Sequence, residues 1–310
     1  MKISVIIPVY NAAAFLRKAV ESALKHTAVE EVLMIEDASP DHSLEICKEL
    51  VSENKKVKLF QHPDLGNHGA GASRNLGFEK ASHEFIAFLD ADDHYLPNRF
   101  EAENELLQNK NIEGVFGAIG TEFLSEKGKI EFEKKFRNNQ LTTVNHHAEG
   151  KEVFYGLLGL DKSFGSFFHL NGLTVRRECI RNNSLRFNEN LRVHQDTDFI
   201  IKLAYHCNLK SGNITEAVAM RGVHDDNRIT KIPPYSEIYN QRQSLLWNSL
   251  DKWAHDRDIK EEFKEHLSLT KKSFKLSLDK GLRKYVNILS EILRNPKILK
   301  TRYRFTYLKK

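Results

Sequence analysis

Between residues 2 and 95 the chain alternates between strand-like and helix-like hydrophobic periods, and this alternation narrows the possible folds most. Positions 2–10 are rich in β-branched residues and end at a turn. After Asn11, which stands where a helix cap belongs, Phe15, Leu16, Ala19, Val20, Ala23 and Leu24 recur at helical spacing. A second apolar run, Val32-Leu33-Met34-Ile35, precedes Ser39-Pro40, which predicts an N-cap followed by proline at the first helical position. Val57 to Phe60 fits a third strand, and the Gly-rich stretch from Gly66 to Gly77 leads into a helix. Phe85 to Leu89 reads as a fully buried strand. This βαβα order implies a mainly parallel sheet flanked by helices, an α/β fold whose ligands bind beyond the carboxyl ends of the strands. Asn11, Asp37 and an acidic cluster starting at Asp90 all fall at such ends.

Beyond residue 95 the pattern is mixed. A helix is predicted from Pro97 to about Leu107, and a strand from Gly114 to Thr121. A polar hairpin around Lys127-Gly128 is expected over Phe123 to Phe136. Phe167 to Val175 predicts a strand, Asp196 to Cys207 a helix and Ala217 to His224 a last strand. Everything after Pro234 reads as helical. His146-His147 lacks a partner at ligand spacing and reads as loop.

Hydrophobic residues make up 40% of the 310 and charged residues 29%, the balance of a soluble globular chain. No apolar run approaches the roughly 18 residues of a membrane span. The stretch Ile3 to Ile7 is halted by Pro8 and Asn11, with no cleavage pattern of a signal peptide after it. Three scattered cysteines, Cys47, Cys179 and Cys207, lack metal-ligand spacing and fit a reducing, cytoplasmic compartment. The net charge of +5 is uneven: Lys271 to Lys310 holds 13 Lys or Arg against 2 Asp or Glu, which leaves −6 on the remainder. A neutral-to-acidic body with a basic tail argues against a nucleic-acid binder.

The feature richest in chemistry is Asp90-Ala91-Asp92-Asp93, directly after the buried strand. Carboxylates two apart on an extended chain point the same way and can hold a hard divalent cation, leaving positions open for phosphate oxygens. Grouping three acids costs repulsion unless a cation or ligand offsets it. The plainer reading is an acidic cluster that complements the dipole of the helix after Pro97.

Pro8-Val9-Tyr10-Asn11, Glu36-Asp37-Ala38-Ser39 and Asp90-Ala91-Asp92-Asp93, each after a strand, resemble the motifs of the family 2 glycosyltransferases. Gly66-Asn67-His68-Gly69 and Ala72-Ser73-Arg74-Asn75-Leu76-Gly77 resemble that family's Gly-rich segment, and together the motifs cover residues 2 to about 98. The resemblance implies a GT-A fold. Residues 1–232 would form the catalytic domain, with 1–98 as the nucleotide-binding half and 99–232 as the acceptor-binding half, and 233–310 would be a basic helical region. It further implies Tyr10 stacked near a base, Asp37 on the base edge and Arg74 approaching the nucleotide, with Pro8, Asn11, Asn67, Asp90 and Ala91 lining the donor site. Asp90 and Asp92 would bind Mn2+ or Mg2+. The family usually has two Asp residues where this chain has Glu36-Asp37, and the second matches.

In the second half, Leu185 to Leu191 followed by Gln195-Asp196-Thr197-Asp198 resembles the family's Phe-x-Glu-x-Leu segment before an acidic pair. By that resemblance Asp196 is the general base of an inverting transfer, with its bland alternative an N-cap. Gln195 stands where the family often has Glu. Arg221-Gly222-Val223-His224 and Asn227-Arg228 resemble its Arg-x-x-His segment, which would set Arg221 and Arg228 on the diphosphate and make His224 a metal or phosphate ligand. The activity implied is transfer of a sugar from a nucleotide-diphosphate donor, UDP by resemblance, to a glycan or lipid-linked hydroxyl. A non-catalytic binding or scaffold protein of the same fold is the alternative. A sugar nucleotidyltransferase fits less well, because the turn Tyr10 to Ala14 lacks the glycine and charge of a triphosphate loop.

In the basic tail Leu282, Tyr285, Val286, Leu289, Ile292 and Leu293 form one helical stripe, with Arg283, Lys284 and Arg294 off it. The favoured expectation is packing on the body or on a partner subunit. Peripheral contact with the anionic inner face of a membrane is the other. Tyr303, Phe305 and Tyr307 suit either.

Overall fold

A computed structural model describes residues 1–136, 141–165, 167–225, 232–257 and 259–301. Its alternating half forms strands β1 (Ile3–Val9), β2 (Val29–Glu36), β3 (Val57–Gln61) and β4 (Phe85–Phe88), with helices α1 (Leu16–Leu24), α2 (Ser43–Glu53) and α3 (Ala70–Lys80) between them. β1 pairs in parallel with both β2 and β4, and β2 with β3, as the βαβα order requires. Ile3, Val5, Ile7 and Val9 on one face of β1 join Leu16, Ala19, Val20 and Ala23 of α1 in the main core. On the other face Gly77 of α3 lies so close to Ile6 that an added Cβ would sit 2.5 Å from its side chain.

The chain continues through β5 (His94–Tyr95), α4 (Glu101–Leu106), β6 (Gly114–Phe116), β7 (Ala118–Phe123), α5 (Glu126–Phe136) and α6 (Lys151–Leu158). Then follow β8 (Leu173–Arg176), α7 (Arg177–Asn182), α8 (Gln195–His206), β9 (Leu209–Ser211) and β10 (Ala217–Val223). The main sheet runs β3-β2-β1-β4-β8-β6-β9, and a small one runs β5-β10-β7. β8 is antiparallel to β4 and β6 in an otherwise parallel sheet.

Several local expectations differ from what forms. Asn11 and Ser39 cap nothing: α1 and α2 start later, and the two residues tie neighbouring loops together through Asn11 N–H donating to Ser39 Oγ (3.3 Å). Residues 123–136 are not a hairpin. Ser125 Oγ accepts from Gly128 N–H and the Ser125 carbonyl from Lys129 N–H, starting α5 and burying Phe132 against Phe123. The chain turns at Pro97, so α4 begins only at Glu101, and the Gly114–Thr121 run breaks at Gly117, whose N–H donates to the Gly172 carbonyl. The Phe167–Val175 segment opens with a 3-10 turn at Leu170–Gly172, leaving a four-residue strand.

Cys179 and Cys207 are joined as a disulfide, and Cys47 is buried alone. β8 and β9 flank β6, which brings the ends of α7 and α8 together although the two cysteines are 28 residues apart. Among the described residues no helix is long and apolar enough to cross a membrane.

The chain divides into two compact units, Met1–Arg192 with Phe199–Asp226, and Val193–Asp198 with Asn227–Lys310. In the second, α9 (Glu237–Asp256) packs along α10 (Glu261–Leu278), with Leu246, Trp247, Leu250, Phe263, Leu267 and Phe274 buried. Asp251 accepts from Ser268 and Lys271 across that pair. α11 (Gly281–Arg294) contributes Ile288 and Ile292 to a small cluster with Leu269, Leu276 and Ile298.

Candidate active site

At the end of β2 the buried Asp37 carboxylate is fully engaged. One oxygen accepts from His68 N–H (2.7 Å), and the other from Gly69 N–H (2.7 Å) and Asn67 Nδ2 (3.0 Å). Asn67 Nδ2 also reaches the Asp37 carbonyl (2.8 Å). Asp37 thus clamps the Gly-rich loop, where Gly69 takes φ 88°, a value that favours glycine. Arg192 Nη1 donates to Asn67 Oδ1 from outside (3.2 Å). Next to it, Pro8 is paired within β1, Tyr10 is exposed and Asn11 takes a left-handed φ of 52°, mirrored at the end of β2 by Ala38 at 57°.

At the end of β4 the backbone does not stay extended. Asp93 N–H bonds to the Asp90 carbonyl (3.1 Å), a turn that gives each acid its own surroundings instead of aligning Asp90 with Asp92. Asp90 accepts from Arg74 Nη2 at 2.6 Å. Burial pushes its carboxyl up, but Arg74, His169 and Arg221 outweigh that and hold it below the usual range. Asp92 Oδ2 lies 3.2 Å from His224 Nε2, both half-buried. Ala91 is buried between the two acids. Asp93 is buried and accepts from Asn171 Nδ2 and from Gly222 N–H (2.9 Å). Burial and then the Asp92 and Asp90 charges drive its carboxyl well above the usual range, only partly opposed by Gly222 N–H and Arg221.

Arg74 is buried on α3, its guanidinium 5.4 Å from the Phe187 ring centre. Its neighbour Asn75 donates to the Phe187 carbonyl and Glu189, and accepts from Phe187 N–H (2.9 Å). The Leu185–Leu191 segment is thereby fixed to the Gly-rich helix. Phe187 stacks on Phe199 of α8 at 4.1 Å, with Phe78 and Phe88 around them.

Arg221 is set over the Phe132 ring and its pKa is lowered by burial, against the pull of Asp93, Asp92 and Asp90. Among the described residues the Nε atoms of Arg74 and Arg221 are both buried without a hydrogen-bond partner. Asp196 lies in the first turn of α8, half-buried and inside the helix rather than at its cap; His194, at φ 61°, precedes the helix. Asp198 of the same turn is buried and accepts from Ser249 Oγ (2.7 Å). Arg228 lies outside the described residues.

The pattern of Glycosyl transferase family 2 matches residues 4–157, which contain β1 to β4 and both acidic strand ends. The chain belongs to the family 2 glycosyltransferases. An uncharacterized glycosyltransferase of Haemophilus influenzae is 41% identical over 109 residues, 34% of this chain and 43% of that protein. Glycosyltransferase GlyG of Streptococcus pneumoniae is 33% identical over 116 residues, 37% of this chain and 38% of that one. The chain thus spans less than half the length of these relatives. Among solved structures, TarS of S. aureus is similar with a TM-score of 0.63 at 17% identity, over 99% of this chain and 90% of that one. A mannosyltransferase of Pyrobaculum calidifontis, solved with GDP-Man and Mn2+, has a TM-score of 0.55 at 14% identity, covering 99% and 85%. These likenesses give this family 2 chain its GT-A fold.

Of two further functional candidates of this family 2 site, Asn171 carries no sequence signal and Gly222 stands in the Arg-x-x-His segment only as an unspecified position. Asn171 donates to Asp93 while its Oδ1 accepts from Asp90 N–H (3.1 Å), so one amide orders both acids. Gly222 lets β10 pass against the Asp92 carbonyl, where a Cβ would clash. The donor set of carboxylates plus imidazole suits a hard or borderline divalent cation, which would relieve the part of the Asp93 shift that follows burial, the repulsion from Asp92 and Asp90. Among the described residues the only three-ligand grouping is Glu113 with Cys179 and Cys207, and its bonded sulfurs offer no thiolate.

Proposed function

We propose that the chain transfers a sugar, with inversion, from a UDP-sugar to a hydroxyl of a glycan or lipid-linked acceptor. The observation that carries this reading is a mismatch of charges at the end of β4. Burial and then the Asp92 and Asp90 charges oppose ionisation of Asp93, while the cations Arg74 and Arg221 stand beside the same acids. A diphosphate bound with a divalent cation satisfies both sides at once. UDP is chosen because the fold neighbour TarS has been solved with UDP-GlcNAc and with UDP.

In this reading Asp92 with His224, joined by Asp90 once it turns from Arg74, would hold Mn2+ or Mg2+, whose charge would offset that of the departing diphosphate. Tyr10 covers the base, Asp37 orders the loop facing it, and Pro8, Asn11, Asn67 and Ala91 line the donor. Arg74, Arg221 and Arg228 neutralise phosphate oxygens. Asp196 takes the acceptor proton as the hydroxyl oxygen bonds to the anomeric carbon and the bond to the diphosphate oxygen breaks. A lipid-linked acceptor would place the protein peripherally on a cytoplasmic membrane face, with contact or self-association through the basic C-terminal helices.

Calorimetric titration of nucleoside diphosphates, with and without manganese, tests the donor half. One tight, manganese-dependent nucleotide is expected, lost in Asp92→Ala, and no binding under any condition would overturn the reading. Asp196→Asn should keep donor binding and abolish both transfer and donor hydrolysis.

A further inference from the structure

We infer that α11 is a docking face for an anionic lipid surface. The inference rests on the helix itself and stands whether or not the donor reading holds. Leu282 and Leu293 are 82% and 85% exposed, and Tyr285, Val286 and Leu289 are 52%, 57% and 61% exposed. At about 100° per residue these five fall within a sector about 100° wide. Ile288 and Ile292 occupy the adjoining sector and pack into the small cluster of the second unit. The helix is thus anchored along one edge and bare along the next. That arrangement fits a helix lying in an interface plane better than one buried in a bundle.

Charge decides what covers the bare edge. Arg283 and Arg294, both exposed, border the stripe and exposed Lys300 continues it, while Arg294 also meets Glu291 (3.5 Å) and Lys297 is paired with Glu265 (2.8 Å). From Lys280 to Lys310 the sequence has ten basic residues and one acid, Glu291. A second copy meeting this face isologously would bring the same positive charge against itself. An anionic lipid surface supplies the opposite sign together with an apolar layer for the leucines. The stripe sits on a single convex helix, the shape that inserts shallowly between headgroups.

The test is co-sedimentation of the full chain with vesicles of phosphatidylcholine alone, or with about a third phosphatidylglycerol. Binding is expected only to the anionic vesicles, weakened about tenfold by Arg283→Glu with Arg294→Glu and by raised salt. Leu289→Glu with Leu293→Glu should reduce it at least as much. Circular dichroism of both variants should match the wild type, since the substituted side chains are exposed. The vesicle comparison on wild type needs no variant to be decisive. Equal binding to neutral vesicles, no binding to either, or a dimer in sedimentation velocity that the leucine variant dissolves without any vesicle binding would each overturn the inference.

Discussion

The carboxyl ends of β2 and β4 each present a buried aspartate, and the two are stabilised in opposite ways. Asp37 is surrounded by donors from one loop, Asn67, His68 and Gly69, so its charge is answered by the protein itself. Asp93 has two donors, Asn171 and Gly222, but faces two more carboxylates, and its own ionisation is suppressed. The first site is finished on folding and can hold a loop in a fixed shape. The second crowds three carboxylates together, and a bound cation can relieve that crowding. A frame beside an unbalanced pocket lets binding energy go into the ligand rather than into ordering the loop.

The largest expected effect is on the finished side. Asp37→Ala removes the acceptor for three donors and should cost about 3 kcal/mol of stability, read by denaturant unfolding. Loss of less than about 1 kcal/mol would mean that the loop keeps its shape without the clamp, and the contrast would collapse. On the unbalanced side, Asp92→Ala should weaken manganese-dependent nucleotide binding about a hundredfold. An unchanged affinity would remove Asp92 from the donor site.

How far each end could be read beforehand follows from sequence distance. The Asp37 clamp joins residues about thirty apart whose motifs are local and ordered, and the four-strand parallel core follows from period alone. Asn171 and Gly222 lie 78 and 129 residues from Asp93, and no local pattern announces them. Caps at Asn11 and Ser39 were plausible by residue type, yet those polar groups bridge two loops, which a single-helix rule does not consider. Lys127-Gly128 looks like a hairpin turn until Ser125 caps it and Phe132 finds Phe123. The same reasoning explains the Cys179–Cys207 pair, which depends on a strand order that the sequence alone does not reveal.

Glu31, near the start of β2, sharpens the comparison from the other end of the strand. It accepts from Ser4 Oγ (2.6 Å), Ser82 N–H (2.7 Å) and Ser82 Oγ (2.9 Å), and pairs with Lys58 (2.6 Å). Burial opposes its ionisation, but Lys58, Ser4 and Ser82 prevail and bring its pKa from 4.5 down to about 2. A depressed carboxylate contributes stability in full above its unfolded pKa and loses it as pH falls toward the folded one. Glu31→Gln should therefore cost about 2 kcal/mol at neutral pH, with partial discount for the half-exposed Lys58. The difference from wild type should close as pH drops from about 4.5 to about 2. A pH-independent gap would assign the loss to packing instead of charge.

The smallest effect is the most direct probe of the β4 end. Asp92→Asn keeps the shape of the side chain and removes one negative charge beside Asp90 and Asp93. It also weakens the 3.2 Å contact with His224, which is a modest loss for two half-buried groups. Relief of repulsion and loss of that contact nearly cancel, so stability in metal-free buffer should change by less than about 0.5 kcal/mol, on the stabilising side. Thermal unfolding in the presence of a chelator measures it, because added manganese would bind the wild type preferentially and mask the sign. A loss above about 1 kcal/mol would make Asp92 part of the folded frame, as Asp37 is. In that case the charge at the end of β4 would already be balanced by the protein, and the argument for a cation there would lose its physical basis.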